Sequence, residues 1–380
     1  MEDFGNQYKD SSAKYMQGEL PPLPSEFDNI IKSLDKQREK AAKKTKGMFK
    51  KTFFISWLSL FSIGLILNLI FATDRLGPLI GMAIMGAAVS AIGAGIYTLL
   101  KKGNVLKGFS SILKKELVSK IIKEVNPALD FYEKGITKEV YDTADLIDGV
   151  RFESEDSIKG KINGLAVIIS ECKLTRQKST TVSGKHDSST HDNGSVVSFN
   201  GIFIQLELST VNLSTPLKII PNFAVETNFD KLLNLNPLER TRYAYKRINI
   251  EEEEQISIAP NLEKSDYTFF CKDKSVANSF INQARLKVLD FIFDKYKDQR
   301  ASILNNIPLL KEIDATSGVY ISIVGNTLNL ALDWNEDLFE PDALLKEGIE
   351  ESGLAQKIYR DLHFINQIVN ELSLIDKVNG

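Results

Sequence analysis

Two histidine–aspartate pairs are the residues of this chain whose types could bind a transition metal. His186-Asp187 and His191-Asp192 begin five residues apart, and imidazole and carboxylate are suitable ligands for zinc and similar ions. Both pairs fall in the polar segment 178–198, which we predict to be a mobile loop. No third strong ligand lies nearby in the sequence, and ordering such a loop costs conformational entropy. We therefore predict a solvated linker and no metal site.

The two cysteines and three histidines of the chain supply little else for metal or nucleophilic chemistry. Cys172 and Cys271 fall in predicted strands, where reduced thiols pack like small hydrophobic residues. A Cys–His nucleophile would need His363, the only histidine outside the polar segment, to lie close to one of the thiols. We predict no disulfide framework and no cofactor.

Carboxylates are the remaining candidates for acid–base chemistry. Glu251–Glu254 form an acidic run, which usually marks a solvated edge or loop; a site for a cation or a basic partner is the alternative. Glu340 is predicted to cap or anchor a turn. As the alternative, Glu340 and Glu171 contribute to a carboxylate-based enzyme site. The sequence contains no glycine-rich phosphate loop, nucleophile elbow or dinucleotide fingerprint, so the catalytic residues of any such enzyme are unknown.

The strongest pattern in the chain is a pair of uncharged apolar runs, residues 53–72 and 79–100. Each is long enough to cross the roughly 30 Å hydrocarbon core of a bilayer as a helix. Six residues separate the runs, so their helices are predicted to be antiparallel neighbours. The sequence therefore predicts a transmembrane helical hairpin over residues 52–100.

Small residues recur four apart in the second run, a pattern that permits close helix packing. One line contains Ala83, Ala87, Ala91 and Gly95, and the next contains Gly86, Ser90 and Ala94. They are predicted to pack against the first helix or against another copy of the chain, which makes self-association a candidate interaction.

Basic residues flank the hairpin on both sides, whereas the short link between the runs has Arg75 alone. This asymmetry predicts that both termini are cytoplasmic, in a multi-pass membrane protein. Residues 1–24 are predicted to be a polar tail, and residues 25–51 a basic juxtamembrane helix. That helix has an apolar stripe made of Phe27, Ile30, Ile31 and Leu34.

Beyond the hairpin, residues 101–146 are predicted to form a helical connector that Asn126-Pro127 interrupts, with a further helix over residues 128–146. Strand patterns follow at 150–155, 157–162, 165–175, 199–210, 217–220, 247–250 and 267–271. Asn163-Gly164 and Gly325-Asn326 are predicted hairpin turns, the second joining strands 319–324 and 327–332. With a long central helix over 274–296 and a C-terminal helix over 355–374, residues 147–380 are predicted to be a cytoplasmic α+β domain.

Several blocks of the sequence resemble a bacterial membrane-protein family catalogued as domain of unknown function 3137. They are Gly160–Glu171, Phe199–Ile204 and Ile321–Leu332, followed by the distinctive Leu338–Pro341. The resemblance covers about residues 30–345 and implies a two-span topology, an α+β fold and a multi-pass location in a bacterial inner membrane. It implies nothing about mechanism, because the family has no established activity.

The composition agrees with a folded chain, since 43% of the residues are hydrophobic and 26% are charged. Residues 103–380 are mildly acidic, which is a poor match for nucleic acid. From these observations we predict a membrane-anchored, non-enzymatic binding or scaffolding module at the cytoplasmic face of the membrane. Its expected partners are the lipid bilayer, a second copy and an unknown protein; a membrane-associated enzyme is the alternative.

Overall fold

A computed structural model describes residues 22–45, 47–71, 76–147, 149–183, 188–221, 255–256, 267–304, 318–334, 338–339 and 348–378. The chain divides into two compact units. The first comprises Met1–Lys120 and Phe339–Ile358, and the second comprises Ile121–Leu338 and Tyr359–Gly380. Helices dominate the described part of the first unit, and a large sheet dominates that of the second.

Three long helices begin the described chain: α1 (Phe27–Thr45), α2 (Met48–Phe71) and α3 (Leu76–Leu113). A π-helical turn (Lys114–Val118) and α4 (Ser119–Val125) continue the helical path to the Asn126-Pro127 pair. Helix α1 packs on α3 and on the π-helical turn. Its predicted apolar stripe is largely confirmed, because Phe27, Ile31 and Leu34 are buried.

Asp35 ties α1 to a distant segment of the first unit. Its carboxylate accepts hydrogen bonds from the backbone N–H groups of Ile349 at 2.8 Å and Glu350 at 3.3 Å. Arg38 Nε lies 3.0 Å from the same carboxylate. One acidic side chain thus satisfies two backbone donors far away in sequence, which explains how residues 348–350 are held.

The predicted transmembrane hairpin is not supported. Across the ranges that the structure describes, every helix falls short of the length and apolar character needed to cross a membrane, which takes roughly 20 consecutive apolar residues. The prediction of two spans at 53–72 and 79–100 is therefore wrong, as is the multi-pass inner-membrane localisation that depended on it.

The second unit is built on an antiparallel sheet of ten described strands. These are β1 (Leu129–Tyr132), β2 (Arg151–Glu153), β3 (Ser157–Ile162), β4 (Leu165–Ser183), β5 (Ser188–Glu207), β6 (Leu213–Pro221), β7 (Gln255–Ile256), β8 (Tyr267–Cys271), β9 (Val319–Gly325) and β10 (Thr327–Asp333). Their order is β1-β3-β4-β5-β10-β9-β6-β8-β7, and β2 pairs with β4 beside β3. The α+β class of this part of the chain is confirmed.

Both predicted two-residue turns are present because their residues accept a left-handed backbone. Asn163 and Gly164 have φ of +52° and +88°, and Gly325 has φ of +61°. These values match the requirement of tight hairpins for positive φ. The first turn sets the register of β3 on β4, and the second sets that of β9 on β10.

Helices cover one face of the sheet. They are α6 (Lys274–Phe280), α7 (Gln283–Leu304) and α8 (Leu354–Lys377). The Phe293 ring on α7 stacks on Tyr267 of β8 with 4.6 Å between centroids. Arg285 of α7 donates from Nε to the Ile375 carbonyl oxygen of α8 at 3.2 Å. Alternate strand residues pointing to this face are therefore buried.

The opposite face is covered by α5 (Lys138–Asp142) and the segment after it. Tyr141 lies at the centre of this second core, with its ring centroid 5.0 Å from that of Phe203 on β5. Strand side chains complete the core, namely Cys172, Leu174, Phe199, Ile220, Phe270, Tyr320 and Ala331. Since both faces are packed, the sheet forms the middle layer of the unit.

Two helix predictions differ from the structure. Residues 128–146 form β1 and the short α5 because Leu129–Tyr132 pairs with β3, and pairing and packing override the helical pattern. The predicted helix 274–296 is divided into α6 and α7. Asn282 lies at the break, where its Oδ1 accepts the N–H groups of Ala284 and Arg285 and so caps the second helix.

The prediction of a mobile loop over residues 178–198 is also wrong for most of that segment. Strands β4 and β5 continue through it as a two-stranded ribbon, with register shifts near Gln177. The cause is continued cross-strand pairing of a Ser-, Thr- and Val-containing sequence, since Thr and Val favour strands. The predicted strand 247–250 lies outside the described residues.

Candidate functional site

Four polar side chains form a row across neighbouring strands on the α5 side of the sheet. Gln205, Asn329, Ser322 and Lys218 occupy paired positions on β5, β10, β9 and β6. Gln205 donates to Asn329 Oδ1 at 3.0 Å, and Asn329 donates to Ser322 Oγ at 3.4 Å. Side-chain hydrogen bonds therefore connect β5, β10 and β9 within a packed face, and Lys218 lies at the next paired position on β6.

A buried lysine lies at the end of this row. Lys218 is 1% exposed, and its Nζ lies 2.8 Å from Asp145 Oδ2, whose side chain is 39% exposed. Asp145 has φ of +50°, a conformation that Asp tolerates better than most residues. Next to it, the Ala144 carbonyl oxygen accepts a hydrogen bond from Ser322 Oγ at 2.5 Å.

This arrangement is best explained as an anchor for the segment that follows α5. An ammonium group removed from water needs a paired charge to offset its desolvation, and Asp145 supplies one. Sequence reasoning missed the pair because its members lie 73 positions apart. The sequence did contain one indication of the pair. A lysine lies between Leu217 and Ile219, in a strand whose other residues are typical of a buried core.

The Cys172 thiol contacts serine hydroxyls and not a base. Its Sγ lies 3.8 Å from Ser154 Oγ, and Ser154 Oγ lies 2.8 Å from Ser170 Oγ. Burial raises the pKa of Cys172 to about 12, against the smaller opposing effect of these hydroxyls. A thiol with such a pKa is a neutral packing group at physiological pH and a poor nucleophile.

We expect Cys172 to resist alkylation in the folded protein at pH 8, because the thiolate forms only near pH 12. Iodoacetamide treatment followed by peptide mass spectrometry should leave Cys172 unmodified in buffer and modify it fully in urea. Modification in buffer as fast as in urea would show an exposed, reactive thiol and contradict this assignment.

His363 does not activate a thiol through its buried ring nitrogen. It lies on α8 with its ring edge-on to Tyr359, at 4.4 Å between centroids. Burial lowers the pKa of His363, and its Nε2 has no hydrogen-bond partner among the described residues. Cys271 is also buried, with Sγ 3.4 Å from Thr215 Oγ1. Each cysteine is thus accounted for by packing and hydroxyl contacts.

The metal candidates are only partly described. His186 and Asp187 lie outside the described residues, whereas the backbones of His191 and Asp192 belong to β5, opposite Thr180 and Ser179. Within the described ranges, no three His, Cys, Asp or Glu residues are grouped so that they could hold a metal ion.

The candidate carboxylates do not converge on a described catalytic site. Glu171 accepts a hydrogen bond from the Leu338 backbone N–H through Oε1, which anchors the residues after β10. Glu340 and Glu251–Glu254 lie outside the described residues. The one carboxylate of this set that the structure describes therefore has a structural contact.

The α2–α3 hairpin exposes an unusual amount of large apolar surface. On α2 the side chains of Phe54, Ile55, Leu58, Ile63 and Ile66 are more than half exposed. Helix α3 has a similar exposed set, which we call the outer row: Met85, Val89, Ile92, Ile96 and Leu99. No charged residue occurs in 52–71 or 76–100, so neither helix has the polar outer face of an ordinary surface helix.

One line of small residues on α3 faces inward. Ser90, Ala94 and Thr98 are buried, and a side chain placed at Gly86 would meet Leu60 Cβ of α2 at 3.7 Å. This agrees with the prediction that the line containing Gly86, Ser90 and Ala94 packs against the first helix. This line of small residues thus packs within the chain, and the outer row is left at the surface.

No family model, curated protein or solved structure matches this chain. The resemblance to the family of domain 3137 therefore stays a prediction.

Proposed function

We propose that this protein is a non-enzymatic binding or scaffolding protein whose contact surface is the exposed apolar side of the α2–α3 hairpin. The observation that carries the proposal is that eleven large apolar side chains, the ten named above and Leu100, are more than half exposed on two adjacent helices that have no charge over most of their length. Contiguous apolar surface of this kind marks an interaction site, because leaving it in water is unfavourable.

The enzyme alternative has less support from the described residues. The Cys172 thiol is neutral and buried, the Lys218 ammonium is paired, and the Glu171 carboxylate binds a backbone N–H. These groups hold the sheet and its connections, which favours a rigid carrier for a binding surface over a reactive centre.

Photo-crosslinking in the cells that make the protein tests the proposal. Benzoylphenylalanine in place of Leu58 or Leu99 should give protein adducts on irradiation, because both positions lie on the proposed contact surface. Val150 is the matched control, since it is an apolar residue with 70% exposure beside 72% for Leu99, and it lies outside the hairpin.

Absence of protein adducts at both helical positions would refute the proposal. Equal adduct yields at Val150 would also count against it, because the contact would then not be specific to the hairpin.

A further inference from the structure

The polar row of the sheet ends on the segment that follows α5, residues 143–147, which we call the strap. The hydrogen bonds between members of the row run in one direction, because Gln205 donates to Asn329 and Asn329 donates to Ser322. Ser322 Oγ in turn donates to the Ala144 carbonyl oxygen of the strap at 2.5 Å. The row therefore orients the Ser322 hydroxyl as a donor toward the strap.

A second donor lies beside this hydroxyl. Lys218 is the residue paired with Ser322 on the neighbouring strand, and its Nζ lies 2.8 Å from Asp145 Oδ2. The sheet thus presents a hydroxyl and an ammonium side by side, and consecutive residues of the strap fill them with a carbonyl and a carboxylate. An acidic residue of a peptide, together with the carbonyl group of the residue before it, has the chemistry that these two donors fit.

Apolar packing already holds the strap without a buried charge. Leu146 and Ile147 of the strap are 1% and 4% exposed. Replacing a buried ion pair by apolar residues often leaves stability unchanged or raises it, and the best-attested use of such polar groups is in selecting a partner or a state. Lys218 therefore adds selectivity for a carboxylate to a contact that packing alone would hold.

Asp145 is placed where another carboxylate could replace it. Its side chain is 39% exposed whereas that of Lys218 is 1% exposed, so Asp145 lies at the solvent side of the pair. Asp145 also has φ of +50°, in a region that is sparsely populated by residues other than glycine and that costs free energy. A peptide bound in place of the strap would avoid that cost.

From these observations we propose that Lys218 and Ser322 form a binding site for an acidic residue of a partner protein, and that the strap occupies this site as an internal ligand. The partner binds by displacing Ala144 and Asp145. Because opening the strap exposes its two apolar residues, the closed state predominates until a ligand supplies the missing contacts. The inference uses no residue of the α2–α3 hairpin and therefore stands apart from the function proposed above.

Thermal denaturation of the full-length protein with the dipeptide acetyl-Ala-Asp-amide tests the site, because the rise of the melting temperature with concentration gives a dissociation constant. Asp145→Gly removes the internal carboxylate and keeps a residue that adopts positive φ readily. This variant should bind the dipeptide about 10-fold or more tightly than the wild type does, since less of the site is occupied by the strap. Acetyl-Ala-Asn-amide is the matched ligand and should not stabilise the variant. Addition of Lys218→Met to Asp145→Gly should abolish the effect of the acidic dipeptide.

Hydrogen exchange of the wild type tests the displacement without a variant. The backbone N–H groups of Ala144 and Asp145 donate to the carbonyl oxygens of Tyr141 and Asp142, so they exchange slowly while the strap is closed. Acetyl-Ala-Asp-amide at about ten times the dissociation constant of the Asp145→Gly complex should speed exchange in residues 144–147 about 10-fold. The β9–β10 hairpin is the internal control and should exchange at an unchanged rate.

Three results would overturn the proposal: no stabilisation of folded Asp145→Gly by the acidic dipeptide, equal affinity of wild type and variant, or strap exchange that acetyl-Ala-Asp-amide does not change. Circular dichroism establishes that the variant folds. If Asp145→Gly does not fold, Asp145→Asn takes its place, because asparagine also tolerates positive φ and its neutral amide is a weaker internal ligand. Photo-crosslinking at the hairpin has no bearing on these outcomes, so either proposal can fail without the other.

Discussion

Asp145→Asn is expected to lower the free energy of unfolding of the sheet-containing unit by about 3 kcal/mol, since it removes the carboxylate that offsets a buried charge. Lys218 is almost fully buried, and its Nζ lies 2.8 Å from the Asp145 carboxylate. Asparagine keeps the shape of the side chain and the tolerance of positive φ, so the loss reports on charge. Urea denaturation followed by circular dichroism measures it.

Two further variants distinguish the contribution of the ion pair to stability from that of side-chain packing. Lys218→Met should lower the free energy of unfolding by less than Asp145→Asn does. Replacing a buried ion pair by apolar residues of similar volume often leaves stability unchanged. The double variant should recover most of the loss. Asp142→Asn is the matched surface control, because its pair with Lys138 is exposed on both sides and is expected to contribute about 0.5 kcal/mol or less.

A large loss in Lys218→Met with little loss in Asp145→Asn would contradict this account. It would show that the lysine is held by packing and by its other contacts, and that its pairing with Asp145 contributes little.

Asp376→Asn is expected to lower the free energy of unfolding by about 2 kcal/mol at pH 7, because it weakens a set of charge-assisted hydrogen bonds at the end of α8. The carboxylate accepts from the backbone N–H groups of Ser209 at 2.8 Å and Thr210 at 2.6 Å. It also accepts from the Ser209 hydroxyl at 2.5 Å and the Thr210 hydroxyl at 2.9 Å. These bonds join the C-terminal helix to the β5–β6 turn.

The same carboxylate makes stability depend on pH. Burial alone would raise the pKa of Asp376, but the four hydrogen bonds together outweigh burial and hold its pKa below the usual value. A lowered pKa in the folded state means that the ionised group stabilises the fold above the unfolded pKa of about 3.9, and that this contribution disappears as the pH falls through the folded pKa.

The difference in unfolding free energy between wild type and Asp376→Asn should therefore be constant above about pH 5 and shrink as the pH falls below about 4. Asp130→Asn is the control, because Asp130 forms only an exposed pair with Lys123. A difference between wild type and Asp376→Asn that did not change with pH would show that shape and not ionisation is responsible.

The second of the two units could be predicted in part from local sequence. Strands β3 and β8 have the predicted bounds, and the Asn163-Gly164 turn was evident because few residues other than Asn and Gly adopt positive φ easily. The apolar stripe of α1, in the first unit, and the helix end near Pro127 could also be predicted from the sequence. Each of these features depends on residues that are close together in the chain, so their conformational preferences can be read from the sequence.

The candidate site was less predictable. The histidine pairs, Glu340 and the glutamate run were chosen by residue type, yet the described charged contacts join Lys218 to Asp145 and Asp376 to Ser209 and Thr210. Such pairs depend on which strands become neighbours, and one sequence without its fold does not reveal that. Residue type alone therefore did not identify these contacts.

The sequence by itself determined where the chain is apolar, where it turns tightly and where helices end, because these follow from side-chain hydrophobicity and allowed backbone angles. Only the tertiary structure decided that residues 129–132 join the sheet, that segment 178–198 extends β4 and β5 and that a lysine is buried beside Asp145. It also decided that Ser90 and Ala94 of α3 are buried while the outer row of the same helix stays exposed. Those outcomes depend on contacts between residues that are distant in sequence. Such contacts outweigh the local preference for helix or strand only when the strands and helices are packed together.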